Sequence, residues 1–209
     1  MALSNYSELQ TAVANWLDRD DLTAQIPDFI TLAEAFMSDD LRLRSMITEA
    51  TVTPSQVNKY VDLPTGFKEP IAFVNELGDA LNQVHHEDLQ DMQYGSTTGG
   101  PAYYSITNRI NFERLASGAL SYTMTYYKSL DLATDTTNDV LTDYPNIYLY
   151  GTLLQAEPYL KNDKRINTWH QLYEVAMKAA NHKASESLKQ LRTDHPSAAG
   201  GMFNVIRGY

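Results

Sequence analysis

Cysteine is absent from this chain of 209 residues, and the absence excludes several classes of structure. Without cysteine there is no disulfide framework, no zinc site built on thiolates and no cysteine nucleophile. Any metal site would have to use histidine, aspartate or glutamate. Nothing in this composition indicates an oxidising compartment, and the chain is long enough to bury a hydrophobic core without covalent cross-links.

Long apolar runs are also missing. None approaches the roughly 20 consecutive residues that a membrane-spanning helix needs. The start of the chain lacks the basic segment followed by an apolar one that marks a signal peptide. We therefore expect a protein without a membrane span or an export signal, made in a cytoplasm.

Positive charge is scarce, because 16 lysine and arginine residues stand against 26 aspartate and glutamate residues, for a formal net charge of -10. Phosphate affinity comes from basic residues that displace counterions, so this balance argues against general nucleic-acid binding. An acidic surface would suit a protein past which DNA must slide, since a basic wall would retard the DNA. Ordinary solubility explains the same charge, and the sequence leaves both interpretations open.

A helical pattern occupies the beginning of the chain. Asn5 can cap a first helix over about 5–17, with Glu8 three residues later as in a capping box. Apolar residues at steps of three and four predict a second helix over about 26–44, and its first turn tolerates Pro27. Both helices should bury one apolar face.

A second pair of helices is predicted towards the C-terminus. Asp143 can cap a helix over about 144–159, and Pro158 should end or kink it. A short link then leads into a longer helix over about 163–192, and so short a link favours antiparallel packing of the two helices. Small residues in the middle of the longer helix allow close contact with its neighbour.

Between these pairs of helices the pattern becomes that of β structure. Short segments rich in Val, Thr, Tyr and Ile, separated by turn residues, predict a β insertion over about 48–128. The clearest strand, over 119–128, alternates apolar and polar residues, and a hairpin over 103–113 leads to it. The polar run 131–139 predicts a surface loop. The expected fold is mainly α with a β insertion, an α+β class in which the terminal helices form a bundle and antiparallel hairpins fill the middle.

The amino-acid composition changes after residue 193, which predicts the end of the folded domain. We expect residues 1–193 to form the folded domain and 194–209 to be a flexible linker followed by an extended arm. The arm is apolar, and such segments commonly dock on the sheet edge or in the pocket of another chain. A tail that folds back on its own domain is the alternative. The predicted docking residues are Met202, Phe203, Val205, Ile206 and Tyr209.

No motif specifies catalytic or metal chemistry. The run His85-His86-Glu87-Asp88 lacks the i, i+4 histidine spacing with which a helix binds zinc, so a solvated turn explains it better. His170 and His182 lie too far apart along one helix to share a metal. Serine-nucleophile and phosphate-loop motifs are missing from the sequence. We therefore predict no catalytic residue, no cofactor and no metal.

Glycoside hydrolysis by two carboxylates is the one chemistry that the sequence leaves open, because 26 acidic residues make some suitable pair inevitable. Glu34, on the second helix before Phe36, is the candidate acid, although a glutamate on an amphipathic helix is usually solvated. The 14 tyrosines fit a protein interface and a protein core equally well.

Several short segments, mostly helix caps and turns, follow one another in a characteristic order along the chain. They are Asn5-Tyr6-Ser7-Glu8-Leu9, Trp16-Leu17 with Asp20-Asp21-Leu22, Ile26-Pro27-Asp28-Phe29-Ile30 with Glu34 and Leu41-Arg42, Tyr60-Val61-Asp62-Leu63-Pro64-Thr65-Gly66-Phe67, and Tyr148-Leu149-Tyr150-Gly151 through Glu157-Pro158-Tyr159-Leu160. In order and spacing they resemble the head-to-tail adaptor proteins of tailed bacteriophages, in particular the portal-bound adaptors of short-tailed phages.

This resemblance implies a structural virion protein rather than an enzyme. Such adaptors form a ring, usually dodecameric, beneath the phage portal protein and continue the DNA channel toward the tail. The implied partners are the portal protein, a downstream tail or nozzle protein and further copies of the chain, while genomic DNA passes without specific binding and no membrane takes part. The protein would be made in the host cytoplasm and end in the neck of the virion.

A C-terminal extension often reaches the portal in these adaptors, and 202–209 fits that role. Two hypotheses compete with the adaptor. One is a virion-associated peptidoglycan hydrolase that acts through paired carboxylates. The other is a cytoplasmic helical binding module that stays monomeric and is indifferent to the portal.

Overall fold

A computed structural model describes residues 3–94, 97–161 and 163–193, and the side chains of 163, 164 and 186–193 are outside the description. The predicted linker and arm over 194–209 therefore lie outside the described residues. The chain divides into a helical unit, which comprises Met1–Arg44 and Asp131–Tyr209, and a β unit, Ser45–Leu130.

Helices and strands are both present, which confirms the predicted α+β class. The helices are α1 (Tyr6–Leu17), α2 (Ile26–Asp40), α3 (His86–Gln93), α4 (Leu132–Asp135), α5 (Asp139–Asp143), α6 (Pro145–Leu160) and α7 (Asp163–Thr193), with one 3-10 turn at Arg44–Met46. The strands are β1 (Ile47–Val52), β2 (Tyr60–Asp62), β3 (Phe67–Asn75), β4 (Asn82–Gln83), β5 (Tyr103–Ile106), β6 (Arg109–Phe112) and β7 (Tyr122–Lys128).

The first helix begins where its capping signal places it. Asn5 Oδ1 accepts a hydrogen bond from the Glu8 backbone N–H at 3.0 Å, and Glu8 Oε2 accepts one from the Ser4 N–H at 2.8 Å. α2 ends at Asp40, before the predicted position near residue 44. There Leu41 adopts an extended conformation and buries its side chain in the core.

The polar run 131–139 contains the short helix α4 and the first residue of α5, so the predicted surface loop is wrong. Asp131 Oδ1 accepts a hydrogen bond from Thr134 N–H at 3.1 Å and caps α4. Asn138 Oδ1 accepts one from Leu141 N–H at 2.7 Å and caps α5. The polar residues that suggested a loop are thus helix caps, and the apolar residues beside them are buried.

α6 also begins differently from the prediction. Asp143 is the last residue of α5 rather than a cap, and α6 begins directly at Pro145, whose fixed φ suits a first turn. Pro158 does not end the helix, which continues to Leu160. A proline so near the end removes only one hydrogen bond from the last turn, and a left-handed Lys161 closes the helix.

α6 forms the centre of the helical unit, where it contacts α1, α2, α5 and α7. Gly151 permits the close approach of two of these neighbours. A Cβ at this position would lie 3.1 Å from Tyr173 Cε2 and 3.6 Å from Ala33 Cβ. Small residues therefore set the spacing between α6 and its partners, as they do wherever helices pack closely.

The β unit contains two sheets. In the first, β7 lies between β1 and β3 and is antiparallel to both. The second has the order β2-β6-β5-β4, in which β4 alone runs parallel to its neighbour. The alternation predicted for the clearest strand is confirmed, because Tyr122, Met124 and Tyr126 of β7 are buried. They join a cluster that also contains Phe73 and Phe112.

The ends of the first sheet differ in the connections they carry. Val52 at the end of β1 and Asn75 at the end of β3 both lie opposite Tyr122, so the connections after β1 and β3 leave from one end. The chain enters the sheet at Ile47 and leaves it after β7 at the opposite end, where Ile47 lies opposite Tyr127.

Candidate functional site

Glu34, the candidate acid, is buried in the helical unit with 5% of its surface exposed. Its Oε1 atom accepts two hydrogen bonds, from the Leu132 N–H at 2.9 Å and from the Tyr148 hydroxyl at 3.0 Å. Asn138 Nδ2 donates to the same Tyr148 oxygen at 2.7 Å. Glu34 thus connects α2 with the start of α4 and with α6, and the expectation that it is solvated is wrong.

The charge of Glu34 is disfavoured in this setting. Burial raises the pKa of the carboxyl, and the two hydrogen bonds to Leu132 and Tyr148 offset only part of the increase. Burial and the nearby carboxyl also raise the pKa of Tyr148. A carboxyl held by fixed donors in the core is suited to joining helices, and this geometry explains Glu34 without a catalytic role.

A second buried carboxylate, Glu157, joins α6 to α7. Trp169 Nε1 donates a hydrogen bond to Glu157 Oε1 at 2.8 Å, and Arg165 Nε lies 3.9 Å from the same oxygen. The Trp169 ring lies 5.7 Å from Trp16 and 6.3 Å from Tyr150, measured between centroids. This aromatic cluster brings α1, α6 and α7 together.

The histidines within the described ranges do not form a metal site. His86 begins α3 rather than a solvated turn, and its Nδ1 atom lies 3.0 Å from Ser105 Oγ. The run 85–88 is exposed as predicted, but the predicted turn is wrong, because the segment forms a helix that buries Leu89 one turn along. His170 lies 3.7 Å from Glu174 on α7. Among the residues that the structure describes, no group of three His, Asp or Glu side chains could hold a metal ion.

Several large apolar side chains of the helical unit are exposed to solvent rather than buried in its core. The exposed ones are Trp16, Leu32, Phe36, Tyr159, Leu172 and Val175. Aromatic residues are enriched in surfaces that bind other proteins, whereas single exposed apolar side chains also occur on monomeric proteins. Within the described part of the chain, none of the helices combines the length and the apolar character needed to cross a membrane.

A groove of about 350 Å³ lies between α2 and α7. Buried Tyr173 and Met177 lie at its base, and Phe36, which is 45% exposed, forms part of one wall. The Phe36 and Tyr173 rings lie 5.8 Å apart between centroids. The polar lining residues are Asp40, His170, Glu174, Lys178 and Asn181.

Two sets of contacts fix the polar lining of this α2–α7 groove. Asn181 Nδ2 donates to the Asp40 carbonyl at 3.1 Å, and Asn181 Oδ1 accepts from the Arg42 N–H at 3.4 Å. Lys178 Nζ donates to Glu174 Oε2 at 2.8 Å, and this bond lowers the pKa of Glu174. The groove is therefore preformed by bonds between α7 and the end of α2.

The Tyr173 hydroxyl at the base of the groove has no hydrogen-bond partner among the described residues, although the side chain is only 3% exposed. Burial raises the pKa of this phenol, and the charge of Asp40 raises it further. A buried hydroxyl without a partner costs free energy, so this atom is a vacant donor and acceptor.

The β unit displays single apolar side chains on two tight turns at one end of its first sheet. Asn75 Oδ1 accepts hydrogen bonds from the N–H groups of Leu77 and Asp79, and Leu77 is 88% exposed. Ser55 Oγ accepts two bonds in the turn after β1, where Val57 is 82% exposed. Both turns are held by side chains, so their exposed tips are fixed in position.

Comparison with known proteins adds to this geometry. The family model of the SU10 adaptor protein matches residues 4–197, which is most of the chain. The chain belongs to this family. A search of curated proteins found no match.

The family confirms the resemblance seen in the sequence to phage head-to-tail adaptors. The adaptor is therefore a structural protein of a bacteriophage, and family membership implies a place in the virion and contacts with portal and tail proteins. These roles suit a protein whose prominent features are exposed apolar surfaces and helix-joining carboxylates.

The docking residues predicted for the adaptor lie outside the described residues. They are Met202, Phe203, Val205, Ile206 and Tyr209. Sequence reasoning missed the α2–α7 groove and the two turn tips. For the tips a signal existed, because Leu77 directly precedes Gly78 and Val57 lies two residues after Ser55, and both Gly78 and Ser55 are turn-forming residues. For the groove no local signal existed, because α2 and α7 are far apart in sequence.

Proposed function

We propose that the adaptor forms a ring beneath the portal protein, continues the DNA channel and provides the surface to which the tail attaches. The observation that carries this proposal is the family match over residues 4–197. A ring requires each copy to bury two different surfaces against its neighbours. The exposed apolar residues of the helical unit, among them Trp16, Leu32 and Val175, are suited to such contacts.

The charge of the chain is compatible with DNA passage. With a net charge of -10, the adaptor offers little general affinity for phosphate, so DNA would pass without being held. In this proposal the virion site is the neck, between the portal and the next tail or nozzle protein.

The decisive experiment mixes the full-length adaptor with the portal protein of the same phage and images the product by electron microscopy. We expect a second ring on the portal. Leu32→Ser and Val175→Ser should weaken that ring if the exposed apolar residues join neighbouring copies, whereas Thr31→Ser on the same helix is the matched control. Portal particles without added density would contradict the proposal.

The segment 202–209 supplies the proposed portal-binding residues. Truncation after Gly200 should abolish portal binding and leave the far-UV circular dichroism of the folded chain nearly unchanged. A full-length variant with Phe203, Ile206 and Tyr209 changed to serine should show the same loss, which separates side-chain contacts from chain length. Wild-type occupancy of portal by either variant would contradict the role of this segment.

We further propose that the exposed turn tips of the β unit contact the downstream tail protein. Leu77 and Val57 are held on rigid turns, so they can insert into a partner with little loss of conformational entropy. Leu77→Ser with Val57→Ser should lower the binding of the next tail component and leave portal binding intact. Unchanged binding of the tail component would remove these tips from the interface.

Peptidoglycan hydrolysis is the alternative function, and it is tested by a zymogram with Glu34→Gln as the control. The structural environment of Glu34 favours the adaptor function, because its Oε1 atom is already bound by two donors from other helices. Clearing by the wild-type chain that Glu34→Gln abolishes would overturn the purely structural function.

A further inference from the structure

We propose that the α2–α7 groove is a docking site for the segment 202–209 of the same chain, with Arg207 against Asp40 and Tyr173 and with Ile206 on Phe36. The contact would exist in the free adaptor. It is independent of the proposed portal-binding role, although it changes how that role would be controlled.

The groove has an exposed aromatic wall and a buried hydroxyl at its base. Phe36 is large, aromatic and half-exposed, and the Tyr173 hydroxyl below it is buried without a partner among the described residues. Both features indicate an occupant that supplies apolar surface and a hydrogen-bonding group together. The bonds of Asn181 to the end of α2 fix the groove before anything binds.

The charges that line the groove are not balanced. Glu174 already pairs with Lys178, whereas no ion pair to Asp40 is present among the side chains that the structure describes. The unmatched charge of the groove is therefore negative. An arginine suits it, because one guanidinium can donate to a carboxylate and to a phenol oxygen at once, and its flat face can lie on an aromatic ring.

The C-terminal segment of this chain matches the groove in composition. Residues 202–209 contain one charged side chain, Arg207, which directly follows Ile206 among apolar neighbours. The pairing of an apolar side chain with an arginine matches the pairing of Phe36 with Asp40 in the groove.

The segment is long enough to extend from the end of α7 back to the groove. From Thr193 at the end of α7 back to Tyr173 is about 30 Å, at 1.5 Å per helical residue. The stretch from 194 to 206 can span about 43 Å when extended, at roughly 3.3 Å per residue. A segment tethered at this distance has an effective concentration near the millimolar range, so even weak contacts within one chain would be populated.

A consequence follows for assembly. One segment cannot occupy the groove and contact the portal at the same time. The groove would therefore cover the apolar arm in the free chain, and the portal would have to displace the arm from it. This competition would limit premature association of adaptor copies through their arms.

The absence of native cysteine allows a direct test in the full-length chain. Asp40→Cys combined with Arg207→Cys should form a disulfide within one chain under mild oxidation, seen as a monomer band of altered mobility on a non-reducing gel. The matched control is Asp28→Cys with Arg207→Cys, because Asp28 is an exposed aspartate on the same helix, about 18 Å away along the axis. We expect cross-linking at Asp40 to be at least about tenfold faster than at Asp28.

Equal rates for the two pairs would overturn the proposal, and so would cross-linked dimers in place of monomers, since dimers would place the segment on a neighbouring copy. A second measurement uses charge exchange. In a Tyr209→Cys background, Asp40→Arg should increase the rate of thiol labelling severalfold, and adding Arg207→Asp should reverse the increase. A labelling rate that Asp40→Arg leaves unchanged would also overturn it. Neither experiment contains the portal, so a failure of portal binding would not affect the outcome.

Discussion

The helical unit and the β unit both bury carboxylates, but they bind them differently. In the helical unit, Glu34 and Glu157 accept hydrogen bonds from the side chains of Tyr148 and Trp169 on other helices. In the β unit, Glu113 accepts hydrogen bonds from two backbone groups, the N–H of Ala102 at 2.9 Å and that of Tyr103 at 3.1 Å, and its Oε1 atom lies 3.0 Å from Nε of the adjacent Arg114.

The difference follows from how helices and strands use their backbones. A helix satisfies most of its N–H and C=O groups internally, so its position against another helix is fixed by side chains and by the free N–H groups of a first turn, such as that of Leu132. Strands exchange backbone hydrogen bonds with their neighbours, so the ladder itself sets the register. The carboxylates of the helical unit therefore specify which helices pair, whereas Glu113 only holds a loop against a sheet that is already in register.

Trp169→Ala should have the largest effect on stability of the changes that test this comparison. The change removes a large buried ring and leaves Glu157 without its indole donor, so we expect a loss of about 4 kcal/mol in the free energy of unfolding. Trp169→Phe keeps most of the ring and removes the N–H, and should cost about 2 kcal/mol. Guanidinium unfolding followed by the fluorescence of the remaining Trp16 measures both. Wild-type stability for Trp169→Phe would contradict the importance of the side-chain donor.

Glu34 provides the next largest effect. Glu34→Ala leaves the Leu132 N–H and the Tyr148 hydroxyl without their acceptor and should cost about 2–3 kcal/mol. Glu34→Gln keeps an oxygen at Oε1 for both donors, so we expect a change within about 1 kcal/mol. Tryptophan fluorescence reports on both variants, because both tryptophans lie in the helical unit. Equal destabilisation by alanine and glutamine would show that the charge of Glu34, rather than its acceptor oxygen, matters.

The same exchange at Glu113 should behave differently and so sharpens the comparison. Here the two donors bind different oxygens, so Glu113→Gln replaces one acceptor with an NH₂ group that cannot accept the Tyr103 N–H. We expect a local loss of about 1–2 kcal/mol. Hydrogen exchange of the Ala102 and Tyr103 amides, followed by NMR, should be faster, while amides of β7 serve as the control. Unchanged exchange at Tyr103 would contradict the assigned geometry.

The smallest expected effect is a dependence of stability on pH that originates from Glu34. Its folded pKa is raised above the unfolded value, so the folded state binds the proton more tightly. The contribution of this group to stability is therefore greatest below the unfolded pKa, near 4.5, and decreases as the pH rises through the folded pKa. Unfolding free energies of the wild type, measured relative to Glu34→Gln, should fall as the pH rises above about 4.5. A difference that grows with pH would contradict the raised pKa.

The fold class could be predicted because both periodicities are strong in this chain. Steps of three and four residues mark α2 and α7, and strict alternation marks β7. The short helices α4 and α5 were missed because each has only four or five residues. Their polar capping residues, Asp131 and Asn138, are residue types that are also common in loops.

The candidate sites depended on contacts that no local pattern encodes. Glu34 lies on an amphipathic helix, and only donors from Leu132 and Tyr148, about a hundred residues later, explain its burial. In the same way, the α2–α7 groove arises where Phe36 meets Tyr173. The family resemblance could be recognised because it depends on caps and turns, which are local features of the sequence.

The pairing of Ile47 with Tyr127 has a consequence for how the adaptor can vary. Ile47 near the start of the β unit and Tyr127 near its end lie on neighbouring strands, about 5 Å apart. Because its two ends are this close, the β unit resembles an insertion between two residues of the helical unit. We expect that such a module can be shortened or exchanged while the helical unit keeps its sequence, which under the proposed tail contact would let the tail-binding surface vary independently of the helices. Joining Arg44 to Asp131 by a short glycine-rich linker would make a minimal adaptor in which this modularity can be measured.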